Sequence, residues 1–149
     1  MKIEFDDNYF MSKAIDEAKI ALSKGEVPIG AVIVADNKII ARAHNMVEAL
    51  NDVTAHAEIL AITSAANYIG GKYLENCSVY VTLEPCQMCA GALYWSRISK
   101  IYFGAEDPKR GFKKSGTKLH PKTKVFGGIL QNECKDLLDK FFISRRNLN

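Results

Sequence analysis

The chain has 149 residues, 48% of them hydrophobic and 25% charged, with a formal net charge of +3. That length fits one domain over 1–149, and the composition excludes a disordered chain, a collagen-like repeat and a disulfide-dense miniprotein. No apolar run reaches the ~18–20 residues of a membrane span. The N-terminus MKIEFDDNYF is acidic and lacks the apolar core of a secretory signal, so the expected location is cytoplasmic.

Phe10, Met11, Ala14, Ile15, Ala18, Ala21 and Leu22 recur at helical spacing and predict an amphipathic helix over about 8–24, ended by Gly25. IGAVIVA (29–35), a turn at Asp36-Asn37 and KIIARA (38–43) read as a β-hairpin. The segment 44–54 is polar and irregular. A second helix is expected from Ala55 to Tyr68, with Ile59, Ile62, Thr63 and Ala66 on its apolar side and Gly70-Gly71 as its stop. CSVYVTLE (77–84) is a third strand; Pro85 ends it and opens a helix to about Ser96. KIYFGA (100–105) is a fourth strand. Residues 106–124 are basic and turn-rich without clear periodicity, and a short strand near 124–126 is compatible with the sequence. Cys134, Leu137, Leu138, Phe141 and Phe142 form the apolar stripe of a last helix over about 132–146. Strands interleaved with helices predict a three-layer α/β domain, and the opening hairpin makes its central sheet mixed.

Charge is unevenly spread. Residues 1–107 carry a net of −5 and residues 108–149 a net of +8, with seven Lys and Arg and no acid between Lys109 and Lys124. A basic end on an acidic domain suits a polyanionic partner. A solvated basic loop would look the same.

Four cysteines stand at 77, 86, 89 and 134. Cys77 and Cys134 lie in apolar, periodic surroundings and read as small buried hydrophobes. Cys86 and Cys89 form a C-x-x-C pair in the first turn of a helix, where the N-terminal dipole favours thiolate. His56 opens another helix. One imidazole and two thiolates suit zinc, and three protein ligands leave a fourth tetrahedral position open, as in a catalytic zinc site. His44, His120, Cys77 and Cys134 lack the spacing to close it. Glu58 follows His56 by two residues, so it points away from the same ion on an ideal helix, yet both can border one cavity at a helix start. A carboxylate there can move a proton between water and a leaving group. It can equally complement the helix dipole. His56-Ala57-Glu58 followed about thirty residues later by Pro85-Cys86-Gln87-Met88-Cys89 is the H-x-E…P-C-x-x-C signature of the zinc deaminases.

The stretches VPIGAVIV (27–34), TAHAEILAI (54–62), YVTLEPCQMCAGAL (80–93), FGAEDPK (103–109) and GGIL…EC…LL…FF (127–142) resemble bacterial tRNA-specific adenosine deaminases, a family within the zinc-dependent cytidine/deoxycytidylate deaminase superfamily. The resemblance covers nearly the whole chain. It implies an α/β/α cytidine-deaminase-like fold with a mixed five-stranded sheet, one Zn2+ per subunit held by His56, Cys86 and Cys89, Glu58 as proton shuttle, and a homodimer. By position, Asn45 would bind the target base, Asp107 would lie near the ribose, and Val27, Pro28 and Ile29 would form a pocket wall. The implied reaction is hydrolytic deamination of the wobble adenosine in a tRNA anticodon stem-loop to inosine, with release of ammonia. Lys109, Arg110, Lys113, Lys114, Arg145 and Arg146 are candidate phosphate contacts, and Phe141 and Phe142 are either a stacking platform or core. The segment RGFKKSGTKLHPKTK (110–124) departs from the small-residue stretch and longer loop of many family members, which bears on the rim of the site and its RNA contacts.

Three other readings share some of these residues. A deaminase of free bases or nucleosides, of guanine or cytosine type, would use the same zinc chemistry but has no use for the basic end. A non-catalytic zinc-stabilised RNA-binding subunit would not need Glu58. A thiol redox protein would keep Cys86 and Cys89 free of metal.

Overall fold

The structure is a computed structural model and describes residues 3–147. Strands Gly30–Ala35 (β1), Lys38–His44 (β2), Cys77–Leu83 (β3), Lys100–Ala105 (β4) and Lys124–Phe126 (β5) form one sheet in the order β2-β1-β3-β4-β5. β1 is antiparallel to both of its neighbours, whereas β3, β4 and β5 are parallel. The helices are Asp7–Ser23 (α1), Val47–Leu50 (α2), Ala57–Ile69 (α3), Gln87–Ser96 (α4), Phe112–Ser115 (α5) and Gln131–Arg146 (α6). None of them is long and apolar enough to cross a membrane.

The two-residue alternation of the strands decides the layering. Ala31, Ile33, Val79, Val81, Ile101 and Phe103 face a core shared with α3 and α4. Val32, Val34, Tyr80 and Tyr102 face a second core shared with α1 and α6. The expected three-layer arrangement is therefore present, with a mixed five-stranded sheet at its centre. On the α1 side, Tyr80, Tyr102 and Phe126 lie in register across β3, β4 and β5, with ring centroids 4.4 Å and 5.0 Å apart. The hairpin turn has φ of 50° at Asp36 and 58° at Asn37, the two left-handed residues that a two-residue turn needs to follow the strand twist. Gly30 is dictated by close approach: a Cβ there would lie 2.1 Å from the Ala14 carbonyl oxygen, where α1 crosses β1.

Four local expectations need correction. The face of α3 turned to the sheet is Ala57, Ala61 and Ala65, not the stripe of Ile59, Ile62, Thr63 and Ala66, which is half-buried or exposed. Small residues let the helix axis sit close to β1 and β2, and they carry little weight in a hydrophobic pattern. The irregular 44–54 segment contains the single turn of α2, and the basic loop contains that of α5. Finally, α4 begins at Gln87 rather than at Pro85. Cys86 is the extended N-cap, with φ −72° and ψ 175°, because it is bridged to Gly111 while the Pro85 carbonyl accepts from the Phe112 N–H at 2.9 Å.

The direction of the strands positions the site. β2, β3 and β4 end, and β1 begins, at the same edge of the sheet. Glu26 to Gly30, His44 to His56, Glu84 to Cys86 and Ala105 to Lys113 all leave from that edge. It is the carboxyl end of the parallel strands, where open α/β sheets place their ligands.

Candidate active site

His56 and Cys86 are the N-cap residues of α3 and α4, and Cys89 lies one turn inside α4. The His56 imidazole makes no cap bond to its own helix, as a Ser or Asp there would, and the Cys86 sulfur meets its own only at Cys89. They turn toward each other instead. His56 Nδ1 lies 3.7 Å from Cys86 Sγ and 3.5 Å from Cys89 Sγ. All three donor atoms fall within 4.8 Å of one another. A tetrahedral zinc with Zn–S of ~2.3 Å and Zn–N of ~2.0–2.1 Å places nitrogen and sulfur ~3.6 Å apart, so the donor set fits that ion in type and spacing. Two helix N-termini converge on the cluster and favour negative sulfur.

The sulfurs divide their charge unequally. Hydrogen bonds from Cys89 and His56 hold the Cys86 thiol down to about 3, whereas the hydrogen bond to Cys86, together with burial, pushes Cys89 up. His56 is raised, mainly by its hydrogen bond to Cys86. Both sulfurs bind a cation as thiolates, so metal binding would release the proton that Cys89 holds.

Glu58 sits in the first turn of α3 and is 4% exposed. Burial pushes its carboxyl up to about 7, and its side chain is hydrogen-bonded with that of Cys89. Glu58 reaches Cys89, beside the cluster, although it follows His56 by only two residues, because His56 is the extended cap, outside the helical screw. A carboxyl of that affinity takes and returns a proton near neutrality.

Asn45 follows β2 and is 5% exposed. Its backbone N–H donates to the Ile29 carbonyl at 3.0 Å, while its side-chain amide makes no hydrogen bond to a described residue. Pro28 is buried and Val27 and Ile29 are half-buried beside it. Asp107 serves its own turn, Oδ1 accepting from the N–H groups of Lys109 at 3.1 Å and Arg110 at 3.0 Å. Lys109, Arg110, Lys113, Lys114 and Arg146 are exposed. Lys113 also pairs with Glu106 at 3.7 Å. Arg145 is tied down, donating to the Gly25 carbonyl at 2.6 Å and lying over the Phe141 ring. Phe141 is core and Phe142 is 49% exposed. Of the four candidate closing ligands, none joins the cluster: Cys77 and Cys134 are buried elsewhere, His44 pairs with Glu17 at 3.1 Å, and His120 lies against Tyr94.

Sequence reading passed over two residues here. Glu26 and Glu84 are, with Glu58, the buried acids among the described residues. Glu26 accepts from the backbone N–H groups of Glu48 at 3.0 Å and Ala49 at 2.8 Å and so caps α2. Glu84 accepts from those of Asp107 and Lys113, each at 3.1 Å. The available signal was an acid beside a strand end in GEVPIG and TLEPC, next to residues already singled out.

Residues 5–105 match the model of the cytidine and deoxycytidylate deaminase zinc-binding region. The chain is 57% identical over 144 residues to a tRNA-specific adenosine deaminase of Aquifex aeolicus, covering 93% of this chain and 95% of the relative. A solved structure from a study of A-to-I editing by tRNA:A34 deaminases at the wobble position of transfer RNA matches with a TM-score of 0.80 and 43% identity, over 87% of this chain and 99% of that one. The guanine deaminase of Bacillus subtilis matches with a TM-score of 0.66 and 37% identity, over 75% of this chain and 69% of that one.

Proposed function

Because the chain belongs to the cytidine and deoxycytidylate deaminase family, we propose that it hydrolyses the 6-amino group of the wobble adenosine in a tRNA anticodon stem-loop, giving inosine and ammonia. The observation that carries this reading is the His56–Cys86–Cys89 cluster with Glu58 buried beside it, in a chain so similar to tRNA-specific adenosine deaminases. His56, Cys86 and Cys89 would hold zinc, which would supply the Lewis acidity that lowers the pKa of water toward neutrality. Glu58 takes a proton from the attacking water, passes it to the purine ring nitrogen, and delivers a second to the departing amine. The burial of Glu58 limits exchange of those protons with bulk water. Asn45 offers its unengaged amide to the edge of the flipped-out base. Removing that contact in Asn45→Ala is expected to lower kcat/KM roughly 5- to 150-fold with zinc content unchanged, as steady-state inosine formation would read.

Lys109, Arg110, Lys113 and Lys114 stand at the mouth of the same edge and suit a phosphate backbone. An anticodon loop offers bases already unstacked, which lowers the work of extruding one. The likeness to guanine deaminase supports a free-base alternative, and substrate competition separates the two. Adenosine in a stem-loop is expected to be consumed while free guanine, cytosine and adenosine are left intact. Turnover of a free base with intact RNA untouched would favour the alternative.

The proposed enzyme is a cytoplasmic single-domain protein acting as a homodimer. α4 is apolar nearly all round, which in a helix calls for burial on both faces. On α4 the outward Met88, Gly91, Ala92 and Trp95 recur at helical spacing, and Trp95 is 77% exposed. Sedimentation at micromolar concentration is expected to give the mass of two chains; a single-chain mass would exclude the dimer.

A further inference from the structure

Glu84 stands between the end of β3 and the metal-binding turn, and nothing in the proposed chemistry uses it. It is 4% exposed, and among the described residues it meets no cation. Its carboxylate is held by two backbone N–H groups alone: Oε1 by Asp107 and Oε2 by Lys113. A buried carboxylate is expensive unless its partners are fixed, and these two partners bracket the segment 107–113. The rest of that segment is shaped around the same group. A Cβ on Gly111 would lie 2.3 Å from Glu84 Oε2, and Gly111 bridges to Cys86. The Phe112 N–H donates to the Pro85 carbonyl at 2.9 Å. The segment so wrapped carries Lys109, Arg110 and Lys113, with Lys114 following.

We infer that Glu84 is a positioning residue that registers the basic segment 107–114 against the Cys86 turn, so that phosphate contacts and the metal centre keep a fixed separation. The inference rests on the RNA reading given above. Glu84 touches neither substrate nor metal. It acts through backbone amides, converting a flexible, self-repelling run of cations into a rigid arm. A carboxylate suits this task because it offers two acceptor oxygens to two separate amides, and charge strengthens both bonds. Glutamine at the same place would present one donor to a donor and release one end of the arm.

The test compares zinc-loaded wild type, Glu84→Gln and Gly111→Ala. The second variant pushes the arm off the carboxylate without altering the carboxylate itself. Zinc content, the KM and kcat for stem-loop deamination, and the salt dependence of stem-loop binding are measured for each. Both variants are expected to keep full zinc, to raise KM about tenfold, to hold kcat within about threefold, and to show a shallower salt slope by roughly one phosphate contact. A lower melting temperature with KM, kcat and slope all unchanged would reduce Glu84 to a structural part and overturn the inference. Loss of zinc, or a fall in kcat with KM unchanged, would place its action on the metal turn instead and also overturn it. If Glu84→Gln does not fold, Gly111→Ala decides on the same criteria. A wild type that binds the stem-loop but makes no inosine would refute the proposed reaction, and the binding slopes alone would then decide the role of Glu84.

Discussion

Replacing Glu58 by alanine is expected to reduce inosine formation by ~10²–10⁴-fold while zinc remains stoichiometric, the loss typical of removing a positioned general acid–base. The reason lies in burial and proximity together. Glu58 is 4% exposed, its carboxyl is pushed up to about 7 by that burial, and it adjoins the Cys89 thiol. The other buried acids among the described residues, Glu26 and Glu84, are each held by two backbone N–H groups of another segment. Glu58→Gln separates chemistry from packing. It fills the same space and avoids the burial of a charge, so it is expected to fold at least as stably as wild type and still be inactive. Metal analysis, thermal melting and inosine assays on the same samples check all three points. Activity in Glu58→Gln within a few fold of wild type would remove the proton shuttle from the account.

Removal of the metal is expected to have the other large effect. Cys89 is fully buried and forms the floor of the cluster, 3.5 Å from His56 Nδ1. Cys89→Ala leaves two donors where three are needed, and it should purify without stoichiometric zinc and without activity. Chelation of the wild-type metal should have the same outcome, reversed when zinc is restored. Stability should fall with the metal. His56 caps α3 without bonding to it, and Cys86 and Cys89 belong to the start of α4, so an ion held by all three would tie α3 to α4 at this end. A lower melting temperature after chelation, restored with zinc, checks that link. Unchanged activity in a demonstrably zinc-free sample would contradict the assignment.

Much of this was legible in the residues because it depends on short-range spacing. His56-Ala57-Glu58 and Cys86-Gln87-Met88-Cys89 are local patterns. The Asp36-Asn37 turn is fixed by two neighbouring conformations, and the strand alternation that separates Val32 from Ile33 is also local. What escaped depends on contacts across the fold. Glu84 is recognised only when Asp107 and Lys113, 23 and 29 residues on, are seen to close over it. Glu26 is recognised only through Glu48 and Ala49. The buried face of α3 is made of alanines, which a hydrophobic pattern underweights beside Ile59 and Ile62. Pro85 commonly starts a helix and so predicts Cys86 inside one, but pairing with Gly111 keeps it extended and aims its sulfur at His56.

The most direct test of the central claim is one reaction in water labelled with heavy oxygen. Zinc-loaded protein is incubated with an anticodon stem-loop bearing adenosine at the wobble position, and the product nucleoside is weighed by mass spectrometry while ammonia is counted. The account predicts inosine at that position alone, carrying one heavy oxygen at C6, with one ammonia released per inosine. Intact adenosine in the presence of bound zinc, or inosine without the label, would contradict it.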